Sequence, residues 1–161
     1  MPHFSIRRAT HADADLLLTL IEERADADAF PFHVSVTAED LRQRLFSPDP
    51  AAEAILGYVG EEPAAFAVYS EVFATTTGRR GLHLDELFVR PAYQAEGYGQ
   101  ELIEHLARIA VARGCARMEW CELRLNESAM RFYERLGARG VDAVRLFRLD
   151  GESLVALARA D

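Results

Sequence analysis

Leu84 to Leu106 reads LDELFVRPAYQAEGYGQELIEHL, and the parsing of this stretch decides the fold. Leu87, Phe88 and Val89 form a short apolar run of strand-forming residues that stops at Pro91. A glycine-bearing turn, Gln94-Ala95-Glu96-Gly97-Tyr98-Gly99, then opens a helical pattern. Strand, turn and helix N-terminus together make an anion-binding device. The first N–H groups of a helix lack intrahelical partners, and the macrodipole adds partial positive charge there. Glycines let a phosphate approach the backbone without meeting a Cβ. The stretch therefore predicts a phosphate-bearing ligand over Gly97 and Gly99. A glycine pair between strand and helix is equally compatible with a plain tight turn, so the rest of the chain must decide.

The composition narrows the class of protein. With 161 residues, half of them hydrophobic and 27% charged, the chain reads as one globular domain over 1–161 with a sizeable core. A formal net charge of -8 argues against nucleic acid, which needs clustered Lys and Arg, and is compatible with a cationic substrate. No run of 18 or more apolar residues spans a membrane, and MPHFSIRRAT lacks the apolar core of a signal peptide. Cys115 and Cys121 are placed on one predicted strand, too far apart for a disulfide. Reduced thiols and a cytoplasmic location are the expectation.

Taken in order, Phe4–Arg8 predicts a first strand, and Thr10 with Asp13 a capping box for a helix bearing Leu16, Leu17, Leu20 and Ile21. That helix runs out in an acidic stretch, Glu22 to Asp28. A second box, Thr37 with Asp40, starts a helix that Pro48 and Pro50 end. Strands follow at Ala54–Val59 and Ala64–Phe73, joined by a hairpin at Gly60–Pro63. A polar loop, Thr75 to Gly81, leads into the opening stretch. Its helix stops at Gly114, Ala116–Glu122 forms a strand, and Asn126 caps a helix carrying Ala129, Phe132, Tyr133 and Leu136 on one face. A late strand at Val144–Leu149 and a last helix at Ser153–Arg159 complete the order β α α β β β α β α β and its closing helix. That order predicts an α/β fold: a mixed, mostly antiparallel sheet flanked by helices.

Several chemistries lack their residues. The five histidines, His3, His11, His33, His83 and His105, are scattered, so no metal site is expected. There is no Gly-Lys-Ser/Thr phosphate loop and no G-x-S-x-G elbow. The glycine turn follows the fourth strand rather than the first, which disfavours a dinucleotide fold. What stands beside the turn is an acidic pair, Asp85-Glu86, and a helix reading Asn126-Glu-Ser-Ala129-Met-Arg-Phe132-Tyr133-Glu-Arg-Leu136-Gly137. The succession V-x-P-x-x-Q-x-x-G-x-G, strand, N-x-x-A-x-x-F-Y-x-x-x-G resembles the GCN5-related N-acetyltransferases. Ile6 to Thr10 with Asp13 is similar to the first strand and helix of that superfamily. Within it the chain most resembles the diamine (spermidine/spermine) and thialysine acetyltransferases, over Phe4–Thr10, Leu84–Val89, Asn126–Ala138, Arg145-Leu146-Phe147 and the final helix.

The resemblance implies acetyl-CoA as co-substrate, no metal, a splayed strand pair in the sheet, and direct attack by a small primary amine. The donor pyrophosphate would rest on Gln94, Ala95, Glu96, Gly97, Tyr98, Gly99 and Gln100, and the pantetheine arm along Leu87, Phe88 and Val89. A backbone N–H near Leu87 would stabilise the oxyanion. The strand near Glu119 to Cys121 would part to admit the arm, with Glu119 and Trp120 beside the substrate. Asn126 and Ala129 would meet the arm near the thioester. Tyr133 would protonate the departing thiolate: a phenol near ~10 holds its proton at neutral pH, and a thiol near ~8.5 takes it readily. On its residues alone, Tyr133 suits a packing role better, since aromatics on an apolar stripe usually pack. By resemblance Asp85 is the substrate-side carboxylate, holding an ammonium or relaying its proton. Glu86 is the lesser candidate and would pair with an arginine at the surface. Asp26 and Asp28 are expected in the loop between the first two helices, which forms the acceptor wall in that superfamily, and Asp28 occupies a substrate-carboxylate position. Two departures count against a long polyamine: Val144 and Ala27 stand where the diamine enzymes carry aromatics. The acceptor expected is a diamine, polyamine or lysine-like amino acid, with a protein or peptide amine, an antibiotic amine, or a non-catalytic CoA-binding module as alternatives. The resemblance also implies a homodimer.

Overall fold

The computed structural model describes residues 2–27, 31 and 33–160. The chain gathers into two compact units, Met1–Cys121 and Glu122–Asp161.

The first unit is a five-stranded sheet in the order β1-β2-β3-β4-β5. Its strands are β1 (Phe4–Arg8), β2 (Glu53–Val59), β3 (Glu62–Ala74), β4 (Arg79–Val89) and β5 (Arg117–Trp120). The first four pair antiparallel and β4 pairs parallel with β5. Helices α1 (Ala14–Ala27), α2 (Ala38–Leu45) and α3 (Tyr98–Ala112) supply the remaining layers. Both capping boxes form. Asp13 accepts from the Thr10 N–H at 2.7 Å, and Asp40 and Thr37 exchange bonds of 2.9 and 3.1 Å.

Alternation along the strands divides two cores between the sheet faces. Ile55, Ala65, Ala67, Tyr69, Leu82 and Leu84 pack with Leu102, Leu106 and Ala110 of α3. Ala54, Leu56, Phe66, Val68 and Phe88 pack with Leu17 and Leu20 of α1 and Leu41 of α2. The expected mixed sheet with helices on both faces is therefore the observed architecture.

β4 breaks its own alternation at the acidic pair. Leu84 lies on the α3 face and Phe88, four residues later, on the α1 face. Regular pleating would put both on one side. The cause is a bulge: Tyr69 pairs with Leu84 and Val68 with Glu86, leaving Asp85 as the extra residue.

The second unit contains α4 (Glu127–Arg135) and α5 (Gly151–Ala158). The late strand expected at Val144–Leu149 does not form: among the described residues this segment belongs to no ladder. Its alternating apolar residues satisfy the pattern of a strand, but a strand exists only with a pairing partner, and a local pattern cannot supply one. β5 is also shorter than Ala116–Glu122, because pairing ends at Trp120.

Candidate active site

The parallel ladder between β4 and β5 runs from Gly81–Arg117 to Leu84–Trp120 and stops. β4 continues for five residues past the end of β5, to Val89, so among the described residues its backbone from Asp85 to Val89 has no strand partner on the side away from β3. The expected splay lies here, and the open strip runs straight into the phosphate turn. Leu87 and Val89 lean on the α3-side core and Phe88 on the other, so the side chains are anchored by packing while the strip's β5-facing edge stays unpaired.

The turn is tied down at both ends. The Gln94 side-chain amide donates to the Val89 carbonyl at 3.0 Å, joining the turn to the strand end. Ala95 and Gly97 both adopt left-handed backbone, with φ of 64° and 87°. In an alanine that conformation costs about 1–2 kcal/mol, which the surrounding contacts must offset. Tyr98, the first residue of α3, stacks on Phe4 of β1 with ring centroids 4.3 Å apart. Phe4 in turn lies over Gly57, where a Cβ would come within 2.6 Å of the ring. Gly97 caps α3 without a side-chain bond, so no side chain competes for the first-turn N–H groups. Glu96 and Gln100 are exposed, Gly99 is half-buried, and Gln100 bonds Glu104 at 2.9 Å.

The acidic pair is split by its environment. Asp85, the bulged residue, is exposed and makes no hydrogen bond or ion pair among the described residues. Glu86 is 19% exposed in its side chain and pairs with Arg24 of α1 at 2.7 Å. The pairing expected of Glu86 is found, although Arg24 is largely buried rather than superficial. One residue along α1, Glu23 accepts two bonds of 2.8 Å from Arg90, which also donates to the Pro63 carbonyl. This pairing holds the Arg90 guanidinium above its usual pKa. Asp26 belongs to the last turn of α1 rather than to a loop, because the helix continues to Ala27. Asp28 lies outside the described residues. Glu119 is exposed and pairs with Arg117 at 2.9 Å, while Trp120 packs against the α3-side core.

In the second unit, Asn126 caps α4, its side-chain oxygen accepting from the Ala129 N–H at 3.3 Å. Tyr133 is half-buried beside Phe132, with centroids 5.4 Å apart, and its hydroxyl donates to Glu122 at 3.2 Å. The other Glu122 oxygen accepts from the Asn126 side-chain amide at 3.3 Å and from the Leu123 N–H at 3.0 Å. One carboxylate thus gathers the two polar side chains that the sequence motif singles out. Glu122 was missed by sequence reasoning: a lone acid after a strand carries no motif, and its partners stand four and eleven residues away.

Among the described residues no three His, Cys, Asp or Glu side chains are grouped to hold a metal, and no helix is long and apolar enough to cross a membrane. Both cysteines are free, Cys115 buried and Cys121 exposed.

Comparison with known proteins bears on the same residues. The profile of the acetyltransferase (GNAT) family matches residues 18–138. Thialysine N-epsilon-acetyltransferase of Caenorhabditis elegans is 30% identical over 96% of this chain and 96% of its own length. L-ornithine N5-acetyltransferase of Arabidopsis thaliana is 29% identical over 77% of this chain and 51% of its own. Among solved structures, an integron cassette protein from the mobile metagenome of V. cholerae superposes with a TM-score of 0.80 at 26% identity, covering 98% of both chains. An open strip on β4, a glycine-capped helix N-terminus after it, and similarity along nearly the whole length agree: the chain belongs to the GNAT acetyltransferase family and is an N-acetyltransferase of its diamine and thialysine branch.

Proposed function

We propose that this protein transfers the acetyl group of acetyl-CoA to the primary amine of a small cationic acceptor, by direct attack with both substrates bound. The observation that carries the donor half is the β4 edge from Asp85 to Val89, unpaired past Trp120 and leading into the N-terminus of α3. An amide-bearing pantetheine arm adds to such an edge as a strand would. Its pyrophosphate then meets the backbone N–H groups of Gln94 to Gln100.

Each residue has a distinct task in this reading. A β4 N–H near Leu87, left unpaired by the splay, donates to the acetyl oxygen as negative charge develops there. Asn126 and Ala129 hold the arm near the thioester. Tyr133 gives its proton to the departing thiolate, its hydroxyl turning from the Glu122 carboxylate that holds it beforehand. The acceptor arrives as an ammonium, with a reference pKa near ~10, and must lose a proton before it attacks. Asp85, exposed and without a side-chain partner among the described residues, suits that ammonium, directly or through water. Asp26, Asp28, Glu119 and Trp120 complete the acceptor side.

The named activities of the relatives favour an amino acid with a terminal amine, since thialysine and ornithine both carry one. Val144 and Ala27, in place of aromatics, agree with a shorter acceptor than a polyamine. A cytoplasmic homodimer belongs to the same reading, and sedimentation equilibrium measures its oligomeric half. The test of the activity is a panel of diamines, polyamines and basic amino acids with acetyl-CoA, followed by release of free thiol. Amine-dependent release with an acetylated product is expected. Binding of CoA with no turnover across the panel leaves a CoA-binding module instead.

A further inference from the structure

We propose that Arg24 determines acceptor specificity by cancelling the charge of Glu86, so that the acidic pair on β4 presents a single carboxylate, Asp85. The inference rests on the reading of Asp85 as the acceptor's carboxylate.

The two acids are adjacent in sequence and unequal in environment. Asp85 is exposed at the bulge, whereas Glu86 is turned to the α1 face and forms an ion pair with Arg24 at 2.7 Å. The exposures of the two paired side chains, 13% and 19%, leave their mutual field weakly screened by solvent. Asp85 and Glu86 without Arg24 would carry two negative charges toward a cationic substrate; with it they carry one. A site of that charge matches an acceptor with one ammonium to be held and a carboxylate elsewhere. A site more negative by the loss of the Arg24 charge would favour a polycation over a zwitterion.

A second ion pair one residue away separates charge from position. Arg90 donates two bonds of 2.8 Å to Glu23 and ties the same turn of α1 to the far end of the β4 strip. The polarity is reversed: α1 contributes the acid to one pair and the base to the other. Because Glu23–Arg90 keeps α1 in place, Arg24 is available as a tuning charge, and its loss alters the field more than the geometry. Nothing in the sequence pattern links residues 24 and 86; the bulge at Asp85 re-phases β4 and turns Glu86 to the α1 face.

The experiment compares kcat/KM for lysine and ornithine with that for putrescine and spermidine, in four proteins. Relative to wild type, Arg24→Met should shift the ratio about tenfold toward the polyamines, the size expected for one nearby charge in a partly screened site. Glu86→Gln removes one negative charge beside Arg24 and should shift it in the opposite direction. Combining both should return the ratio to within about twofold of wild type. Glu23→Gln serves as the structural control: it should lower Tm and leave the ratio unchanged. Removal of one partner destabilises a buried pair, so should Arg24→Met fail to fold, the sign of the Glu86→Gln shift decides alone. Equal loss toward all four amines would overturn the proposal and leave the pair as a scaffold contact. A wild-type protein that acetylates none of them defeats the functional reading itself, and the specificity proposal with it.

Discussion

Gly57 lies in β2, far in sequence from the phosphate turn, yet the structure makes the turn depend on it. A methyl group there would stand 2.6 and 2.8 Å from two atoms of the Phe4 ring and 3.2 Å from the Ala65 Cβ. The first two distances are shorter than any carbon contact tolerates, so the ring must move. Phe4 is only 6% exposed and is held against Tyr98, so it has no free volume to enter. Overpacking of this kind costs about 1–3 kcal/mol. Loss of the Phe4–Tyr98 stack adds about 0.5–1.5 kcal/mol. Gly57→Ala should therefore destabilise the protein by about 1.5–4.5 kcal/mol, a fall in Tm of roughly 3–18 °C for a chain of this size. Tyr98 opens α3, so a displaced ring also loosens the turn. CoA should bind roughly two- to tenfold more weakly, as the turn's ordering then has to occur on binding. Differential scanning calorimetry and isothermal titration with CoA read the two effects. Phe4→Leu in the Gly57→Ala background should recover part of the stability, a coupling that independent sites would lack. A Tm within about 1 °C of wild type, with unchanged CoA affinity, would refute the reasoning.

Other expected outcomes follow from separate parts of the molecule. Tyr133→Phe should lower kcat by about 10²–10⁴-fold, the usual worth of a positioned proton donor, while CoA binding by calorimetry stays within about twofold. Glu122→Ala, which frees the Tyr133 hydroxyl and the Asn126 amide together, should lower kcat, with Tyr133→Phe/Glu122→Ala no worse than Tyr133→Phe alone. Arg7 bonds both Asp13 oxygens at 2.8 Å and holds that carboxyl down to about 2, below the ordinary value near ~3.9. The stability this contributes is present above pH ~4 and is lost as pH falls through the folded value; the Tm difference between wild type and Asp13→Asn should therefore shrink from pH 5 toward pH 2. CoA at about a hundredfold its Kd should stabilise the fold by ~2.7 kcal/mol, or roughly 5–11 °C in Tm by differential scanning fluorimetry.

The parts of this protein that were legible in its sequence are those decided within a few residues. Thr10 with Asp13 and Thr37 with Asp40 are capping boxes in sequence and in space, and Asn126 caps α4 as its position predicts. The run from Leu87 to Gly99 reads as strand, turn and helix because Pro91 and Gly97 punctuate it. The bulge at Asp85 was not legible, since it arises from how β4 aligns with β3 across the ladder and no local signal marks it. Its consequence, the opposite fates of Asp85 and Glu86, was hidden for the same reason. Arg24 stands 62 residues before Glu86, and Phe4 meets Gly57 and Tyr98 only after three elements have folded. The segment Val144–Leu149 failed in the other direction: its alternation promised a strand, but pairing is a property of two segments and only one was in view.

The central claim is that the open β4 edge and the turn after it bind an acyl donor whose acetyl group reaches an amine. It is tested most directly by mixing the purified protein with acetyl-CoA and ornithine or lysine, and following free thiol and amine mass together. The chain contains no lysine, so acetylation of its own side-chain amines does not confuse the amine-free control. Thiol release that requires the amine, matched one for one by a singly acetylated product, is the predicted result. Release at the same rate without amine, or none with any amine while CoA still binds, would contradict it.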